Sequence, residues 1–306
     1  MKFCSFKKSD GQKSWGILGE GGRIAEATAL APTLLDWLRG DWSSQNSKLK
    51  ELAAKANIEA SSVTFDACIP NPPSMRDGYA FRQHVEAARK NRGVPMIPEY
   101  DDFPIFYFTN HQAVVGPGSV KLRERHFEKF DFELEAAIVV GKKGRDIAAK
   151  DADDYIFGYT IMNDFSARAL QMEEMKLNLG PAKGKDFATA LGPWLVTRDE
   201  LEAKRIASSE GERFDLEMSA VVNDKPISKG NMKDMTFTFA QILERVSYGV
   251  DIFPGDVIGS GTVGTGCFLE LNGSGVTNQW MNPGDQIVLK IDQLGELRNS
   301  LELYEP

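Results

Sequence analysis

The stretch FDFELEAAIVVG, residues 130–141, decides which fold this sequence predicts. Apolar and β-branched residues dominate it and a glycine ends it, so it predicts a β-strand. Because side chains alternate between the faces of a strand, Glu133 and Glu135 are expected on one face, and the apolar run after them is typical of a strand covered on both faces. Two carboxylates beside a buried run repel each other and lose hydration, so a cation between them would stabilise the pair. The alternative to a cation site is a half-exposed strand whose polar face meets water, which a lone E-x-E pattern also fits.

Composition argues against several classes of protein. The chain has 306 residues, enough for one large domain or two smaller ones, and 42% of them are apolar. The net charge is −8 without a basic block, which argues against binding to nucleic acid or to an anionic membrane. Three widely spaced cysteines, with no C-x-x-C pair, favour a reducing cytoplasm over a disulfide framework. The N-terminus lacks the apolar core of a signal peptide, and no apolar run approaches the roughly 18 residues of a membrane span.

The order of predicted elements indicates an α+β, mostly β, architecture without regular βαβ alternation. A β-meander opens the chain, and two amphipathic helices follow at 32–39 and 47–56. Residues 60–75 are rich in proline and small residues, so we place a boundary there, with a small N-terminal domain at 1–68 and a second domain at 69–306. Residues 79–91 predict a helix that ends at Gly93. Later strands are predicted at 104–108, 155–163, 194–197, 216–222 and 286–291, and helices at 148–153, at 238–248 and from residue 166.

Three further acidic residues stand beside small residues at the edges of predicted elements. Asp77 precedes a predicted helix, Asp164 follows a buried strand, and Glu270 follows the glycine-rich segment 259–266. Singly, Asp77 and Asp164 also fit helix N-caps, and Glu270 fits a solvated strand residue. Together with Glu133 and Glu135 they form an all-oxygen set, which selects a hard cation, Mg²⁺ or Ca²⁺, with Mn²⁺ as a further candidate. The sequence argues against a zinc site, because it has no Cys or His cluster at ligand spacing.

His84 is the candidate for acid–base chemistry. It lies seven residues after Asp77, about two turns or roughly 10 Å away if the segment between them is helical. At that distance the imidazole cannot share the coordination of a metal at Asp77, but it can reach a substrate or water held there. Histidine is the usual general base near neutral pH, and an exposed polar residue on an amphipathic helix is the alternative. The glycine-rich segment lacks the ending of a phosphate loop and precedes a predicted strand, so we interpret it as backbone that approaches a small ligand closely.

Six motifs stand in order along the chain between about residue 70 and residue 304. They are Asp77-x-Tyr79-x4-His84, Glu133-x-Glu135, Asn163-Asp164-x-Ser166-Ala167-Arg168-x-x-Gln171, Gly184-Lys185-x3-Thr189, Gly261-Thr262 and Leu269-Glu270. The set resembles the fumarylacetoacetate hydrolase family. The resemblance implies a mixed β-roll or pseudo-barrel catalytic domain of the fumarylacetoacetase C-terminal type, preceded by a small N-terminal domain, in a homodimer.

The resemblance also implies a divalent-metal site beside a substrate pocket. The residues that match metal ligands are Asp77, Glu133, Glu135 and Asp164. Lys185 and Thr189 match positions that line the metal site. The residues that match substrate contacts are Tyr79, Arg168, Gln171, Gly261 and Thr262. His84 and Glu270 match a water-activating pair.

The function implied is hydrolysis of a C–C bond in a fumarylacetoacetate-like or acylpyruvate-like β-diketo acid, in the catabolism of aromatic compounds. The metal would polarise a carbonyl, water activated by His84 would attack it, and Lys185 or Gln171 would help to hold the enolate. A decarboxylase, isomerase or dehydratase of a related 2-keto acid is the alternative, because that chemistry needs only enolate stabilisation. A non-catalytic module that binds a divalent cation is the third hypothesis. The segment after His84, with Arg89 and Arg92, does not match the family's substrate-clamping arginine, so the substrate stays open.

Overall fold

The computed structural model of this protein describes residues 1–305 and shows a mixed α and β fold that is rich in strands. The strands in chain order are β1 Lys2–Lys7, β2 Lys13–Leu18, β3 Arg23–Glu26, β4 Ile58–Glu59, β5 Thr64–Phe65, β6 Met75–Gly78, β7 Phe106–Phe108, β8 Val114–Val115, β9 Gly118–Leu122, β10 Phe130–Asp131, β11 Leu134–Val140, β12 Ile156–Asp164, β13 Ser166–Ala167, β14 Thr189–Leu191, β15 Leu195–Thr197, β16 Arg205–Ile206, β17 Arg213–Phe214, β18 Glu217–Val222, β19 Lys225–Asn231, β20 Val257–Gly259, β21 Gln286–Ile291 and β22 Gly295–Leu303.

The α-helices are short and connect these strands. They are α1 Leu34–Leu38, α2 Asn46–Ala53, α3 Arg82–Asn91, α4 Ala149–Ala152, α5 Arg168–Met175, α6 Phe239–Ser247 and α7 Phe268–Gly273. Short 3₁₀ segments lie at Glu20–Gly22, Ser43–Gln45, Ala60–Ser62, Pro98–Asp101, Glu124–Phe127, Asp153–Tyr155, Arg198–Lys204 and Met232–Asp234. Over residues 1–305 no helix is both long enough and apolar enough to cross a bilayer.

Two sheets organise the strands. The larger sheet has the order β4-β3-β2-β1-β15-β12-β11-β20-β6-β7, with β5, β8 and β14 paired beside it. The second sheet has the order β19-β18-β21-β22-β9, and β10–β13 and β16–β17 form separate short pairs. Most neighbours are antiparallel, whereas β20–β6, β14–β8 and β22–β9 are parallel. Strands β11 and β12 therefore lie at the centre of the larger sheet, next to the pair β20–β6.

The predicted strand 130–141 is divided in two. Its first part is β10, which pairs with β13, and its second part is β11, which pairs with β12 and β20. At the break, the N–H of Glu133 donates to the side-chain oxygen of Asn163 at 3.0 Å. The predicted alternation holds within β11, since Ala136 and Ile138 face one apolar core and Val139 faces the other. All of β11 is buried, as expected of a strand covered on both faces.

The two cores lie on opposite faces of the larger sheet. The first packs β11 and β12 against the second sheet and α6, which begins at a capping box formed by Thr238 and Gln241. The second core packs the sheet against aromatic side chains from the start of the chain, and Phe3 and Trp37 lie 5.3 and 5.8 Å from Phe157 between ring centroids. Strand β1 pairs with β15, so the sheet runs across the predicted boundary at 68/69. That boundary stays a prediction.

Three predicted elements near the acidic residues of the motifs differ from the structure. The helix predicted from residue 79 begins only at Arg82, because residues 75–78 form β6 and the N–H of Ala80 donates to the carbonyl of Ser260. The helix predicted from residue 166 begins at Arg168, because the two residues before it pair with β10. The strand predicted after the glycine-rich segment is the helix α7, whose first N–H groups bind Asp131. In each case tertiary hydrogen bonds override the local pattern.

Candidate active site

Four carboxylates meet at the centre of the larger sheet. Each offers an oxygen within 4.8 Å of the others, and all four residues are buried: Asp77, Glu133, Glu135 and Asp164. Asp77 lies within β6 and is not a helix cap, and Asp164 is the last residue of β12. Glu133 directly precedes β11 and Glu135 is its second residue, next to β12. The structure thus brings together the residues that the sequence predicted as metal ligands, and their role stays a prediction.

The buried oxygens of this cluster fit a hard divalent cation. Within the described residues, Glu135 Oε2 and Asp164 Oδ1 have no hydrogen-bond partner. Burial and the nearby Asp164 raise the pKa of Asp77 to about 8. Burial together with Asp77 and Glu133 raises the pKa of Glu135 well above its ordinary value. A site that crowds unpartnered carboxylate oxygens in this way is the kind that Mg²⁺, Ca²⁺ or Mn²⁺ stabilises.

Two buried cationic side chains border the carboxylates. Lys185 Nζ donates to Asp164 Oδ2 at 2.7 Å and also to Glu133. Arg168 Nη2 donates to Glu133 Oε1 at 2.7 Å. Although burial opposes ionisation, Lys185 and Arg168 lower the pKa of Glu133 to about 2. Glu133 is therefore ionised at neutral pH, whereas Asp77 and Glu135 together retain a proton there in the absence of a cation.

Asp131 is a site residue that the sequence analysis missed. Its Oδ1 accepts the N–H of Phe268 at 2.7 Å, and its Oδ2 accepts the N–H of Leu269 at 3.0 Å and Arg168 Nε at 2.9 Å. Asp131 thereby joins the carboxylate cluster, through Arg168, to the helix α7. The alternation that placed Glu133 and Glu135 on one face also included Asp131, and that signal was available.

The guanidinium of Arg168 is already bonded to other side chains of the protein. Its Nε and Nη2 bind Asp131 and Glu133, and its Nη1 donates to Gln171 Oε1 at 3.0 Å. Arg168 and Gln171 both border the large cavity beside the cluster. The guanidinium orients carboxylates of the protein, so its predicted contact with substrate stays a prediction.

His84 and Glu270 form a hydrogen-bonded pair. His84 Nδ1 lies 2.7 Å from Glu270 Oε2, and the second oxygen of Glu270 accepts the N–H of Thr265 at 2.9 Å. Both residues are buried. The helical path of roughly 10 Å assumed between Asp77 and His84 is wrong, because residues 77–81 are not helical. Glu270 is likewise not a solvated strand residue but lies in the first turn of α7.

A cavity of about 800 Å³ connects the His84–Glu270 pair with the carboxylate cluster. Its wall includes every predicted substrate-contact residue: Tyr79, Arg168, Gln171, Gly261 and Thr262. Gly261 has a φ of +78°, and its N–H donates to Asp77 Oδ1 at 3.1 Å. A Cβ at this position would lie 2.7 Å from the carbonyl oxygen of Gly78, so only glycine fits here. Thr189 is buried and lies opposite Asp164 in the β12–β14 pair.

Tyr107 is the second residue that the sequence analysis missed. Its hydroxyl donates to Asp164 Oδ2, the same oxygen that accepts Lys185. The unpartnered Oδ1 of Asp164 is left for another ligand. Tyr107 lies opposite Asp77 in the β6–β7 pair, and it lines the cavity. The sequence predicted the short aromatic strand but had no signal that this strand borders Asp77.

Comparisons with known proteins show which family the chain resembles. The family model for the fumarylacetoacetate (FAA) hydrolase C-terminal domain matches residues 74–302. The chain is 31% identical over 265 residues to the oxaloacetate tautomerase YisK of Bacillus subtilis, a match that covers 83% of this chain and 80% of that protein. It is 29% identical over 290 residues to the mitochondrial oxaloacetate tautomerase FAHD2A of Homo sapiens, a match that covers 92% of this chain and 85% of that protein.

Solved structures share the fold over their whole length. A fumarylacetoacetate hydrolase from Exiguobacterium antarcticum matches with a TM-score of 0.73 at 25% identity, over 99% of this chain and 100% of that one. A maleylpyruvate hydrolase from Sphingobium sp. SYK-6, in complex with manganese(II) and pyruvate, matches with a TM-score of 0.74 at 22% identity, over 100% of both chains. With the match of the family model over three quarters of its length, this chain belongs to the fumarylacetoacetate hydrolase family.

Proposed function

We propose that this protein is a divalent-metal-dependent enzyme of enolisable 2-keto acids, and that it catalyses the keto–enol tautomerisation of oxaloacetate. The observation that carries the proposal is the contact of 2.7 Å between His84 Nδ1 and Glu270 Oε2, beside the cavity that His84 shares with the carboxylate cluster. The choice of oxaloacetate is supported by two relatives that match most of this chain and are named oxaloacetate tautomerases.

The cation is held, in this proposal, by Asp77, Glu133, Glu135 and Asp164. When bound, it supplies a Lewis acid that makes the C–H bond beside a keto group more acidic. Although burial opposes its charge, Asp164 and Glu133 raise the pKa of Lys185 above its ordinary value. Lys185 therefore stays charged, and it stabilises negative charge on the substrate without giving up a proton.

His84 moves the proton. A neutral imidazole that donates its Nδ1–H to Glu270 presents the lone pair of Nε2 to the cavity. Nε2 takes the proton from C3 of the keto acid, and the C–H electron pair becomes the double bond between C2 and C3. His84 then returns the proton to the oxygen on C2, so that the product is the enol and no atom is gained or lost. Glu270, fixed by the Thr265 N–H, stabilises the imidazolium between the two steps.

The remaining wall of the cavity suits a dicarboxylate. Arg92 and Lys129 line it and carry positive charge that can pair with carboxylates of the substrate. Gly261 brings backbone close to the bound acid, as the glycine-rich segment predicted. Arg168 orients Glu133 in this scheme, because its Nε, Nη1 and Nη2 atoms already donate to oxygens of the protein.

Hydrolysis of a C–C bond in a β-diketo acid is the second candidate, and the size of the cavity favours it. About 800 Å³ is far more room than a four-carbon acid fills. In this reaction His84 takes a proton from water, the hydroxide adds to a carbonyl, and the C–C bond breaks. The proton returns from His84 to the carbanion carbon, and the products are two acids. Such an activity would fit the catabolism of aromatic compounds.

The test separates the two candidates. Protein with Mg²⁺, with Mn²⁺ and with a chelator is mixed with oxaloacetate, and the ultraviolet absorbance of the enol is followed while total oxaloacetate is assayed separately. Metal-dependent equilibration of keto and enol forms without loss of oxaloacetate supports the tautomerase. Bleaching of acylpyruvates or fumarylacetoacetate with release of two acids supports the hydrolase. Loss of oxaloacetate to pyruvate indicates a decarboxylase, and silence on the whole panel contradicts both proposals.

Three finer attributes complete the proposal. The cation is Mg²⁺ or Ca²⁺, with Mn²⁺ as a further candidate, and metal analysis of the purified protein tests this. The protein forms a homodimer, which sedimentation tests. It works in the cytoplasm, and fractionation tests this against the mitochondrial location in the name of one relative.

A further inference from the structure

A second group of ligating side chains lies beside the cavity: His84, Cys267 and Glu270. An imidazole nitrogen, a thiol sulfur and a carboxylate oxygen lie within 4.8 Å of one another, and all three residues are buried. The sequence argued against such a group, since His84 and Glu270 are 186 residues apart. Packing of α3 beside α7 brings them together, and Cys267 directly precedes α7.

We propose that these three side chains form an inhibitory site for a thiophilic divalent cation, of which Zn²⁺ is the reference case. One sulfur, one imidazole nitrogen and one carboxylate oxygen, with a fourth position left for water, are ligands that zinc binds. The neighbouring cluster of four carboxylates has only oxygen ligands and suits Mg²⁺ or Ca²⁺. The two sites therefore differ in the softness of their ligands, and excess Mg²⁺ does not compete for the second one.

The distances show what binding requires. His84 Nδ1 and Glu270 Oε2 are 2.7 Å apart and share a proton. Two ligands of a tetrahedral zinc ion lie roughly 3.4 Å apart, because each zinc–ligand bond is about 2.0–2.1 Å for nitrogen and oxygen. A cation at this place must displace the shared proton and move the two side chains slightly apart. His84 lines the cavity whereas Cys267 is fully buried, so the cation arrives from the side of the cavity.

The surroundings of Cys267 both oppose and support a thiolate. Burial and the nearby Asp131 raise the pKa of Cys267 well above its ordinary value. The backbone of Glu270 and the guanidinium of Arg168 act in the opposite direction, because both lie close enough to lower the pKa of Cys267. A cation must therefore displace the thiol proton, which makes binding weaker than at structural zinc sites. Reversible inhibition, as opposed to permanent occupancy, is the expected behaviour.

The consequence for catalysis rests on the proposed function, whereas the site itself does not. A cation bound to His84 and Glu270 separates the imidazole from the carboxylate that orients it. Proton transfer by His84 then stops while the carboxylate cluster keeps its own cation. Zinc is thus expected to inhibit without being overcome by added Mg²⁺.

The binding test uses Co²⁺, which replaces Zn²⁺ and shows a thiolate-to-metal charge-transfer band in the near ultraviolet. The protein is first stripped of metal and then supplied with excess Mg²⁺, which fills the carboxylate cluster. Co²⁺ is titrated into this sample. We expect a band that saturates at one Co²⁺ per chain and is bleached by Zn²⁺. Cys267→Ser should lose the band, and His84→Gln should weaken or shift it.

Cys68→Ser is the matched control for this titration. Cys68 is also a fully buried free thiol, but it contacts Thr160 and lies outside the group. It should keep the band. Absence of the band from the wild-type protein, or its persistence in Cys267→Ser, would overturn the proposed site.

The activity test separates the site from the proposed reaction. Each protein's rate with Mg²⁺ is measured against Zn²⁺ and compared with its own zinc-free rate. We expect half-inhibition of Cys267→Ser to need at least tenfold more Zn²⁺ than that of the wild type. Equal sensitivity would overturn the inhibitory role. A cobalt band in a protein without activity on any keto acid would leave the site standing and contradict the proposed function instead.

Discussion

A single buried carboxylate, Asp131, lies beside the cluster of four carboxylates, and the two differ in how fully their oxygens are hydrogen-bonded. Asp131 has every neighbour that an ionised carboxylate needs: two N–H groups at the start of α7 and the guanidinium of Arg168. In the cluster beside it, Glu135 and Asp164 each keep an oxygen without a partner in the part of the chain described. A satisfied buried charge holds structure together, whereas an unsatisfied one is a place for a ligand.

The contrast extends to protonation. Although burial opposes its charge, Glu133 and Asp131 raise the pKa of Arg168 well above its ordinary value, so the guanidinium beside Asp131 stays charged across the usual pH range. Asp77, with a pKa of about 8, gives up its proton only when the solution is alkaline or a cation replaces the proton. Four experiments test whether Asp131 holds the structure together while the cluster of four carboxylates binds a cation.

The largest effect is expected from Asp131→Ala. The change removes one of the two carboxylates that pair with Arg168 and leaves two N–H groups of α7 without their acceptor, so the free energy of unfolding should fall by about 3–5 kcal/mol. Urea denaturation of the metal-free protein measures the loss. Asp131→Asn keeps an acceptor oxygen and should lose less. A change within about 0.5 kcal/mol, as at an ordinary surface position, would show that Asp131 is not a structural carboxylate.

Addition of metal should stabilise the wild-type protein and leave Glu135→Gln unaffected. At a Mg²⁺ concentration 100 times the dissociation constant, the free energy of unfolding should rise by about 2.7 kcal/mol. Glu135→Gln removes one predicted ligand and should lose this gain, without becoming less stable in chelator, because Glu135 is crowded by Asp77 and Glu133 there. Thermal unfolding with and without Mg²⁺ provides the comparison. An equal response of both proteins would exclude Glu135 as a ligand.

Tyr107→Phe should weaken metal binding by about tenfold, because groups that orient a ligating carboxylate typically contribute at least that much to affinity. The hydroxyl shares Asp164 Oδ2 with Lys185 and leaves Oδ1 towards the cluster. Calorimetric titration with Mg²⁺ or Mn²⁺ measures the affinity directly. Tyr159→Phe is the control, since it removes another buried hydroxyl, one that lies near the carboxylate of Glu212 and outside the cluster. If both variants bind metal equally well, Tyr107 does not orient Asp164.

Metal affinity should also depend on pH. Folded Asp77 keeps a proton up to a pH of about 8, whereas the unfolded chain releases it at about pH 4. The metal-free protein should therefore lose stability as pH rises through this window, and metal affinity should increase by roughly tenfold per unit for each proton that the cation displaces from Asp77 and Glu135. Titrations of the protein with metal at about pH 6, 7 and 8 check that the affinity rises with pH. Glu133, with a pKa of about 2, contributes nothing here, and a flat profile would count against a proton on Asp77.

Local patterns predicted many of the elements. The two helices near the start of the chain were confirmed with shorter bounds, as α1 and α2, and the strand at Gln286–Ile291 was predicted at its observed limits. In these elements the spacing of apolar residues agrees with the observed secondary structure, and contacts with distant residues do not override it. The errors lie where the cluster is assembled: the strand through Glu133, the start of the helix that carries His84, and the element that carries Glu270. At these places hydrogen bonds from distant residues decide the backbone.

The ordered motifs were enough to predict which residues meet at the site. They included the four carboxylates, His84 and Glu270, because the types and order of residues that bind a hard cation and transfer a proton can be read directly from the sequence. How those groups are satisfied became visible in the tertiary structure alone. Asp131, Tyr107 and Cys267 reach the site through the packing of α7 and the pairing of β6 with β7, which join segments far apart in the chain. Whether a buried carboxylate is held by the protein or left for a cation depends on such distant partners, and local sequence carries no record of them.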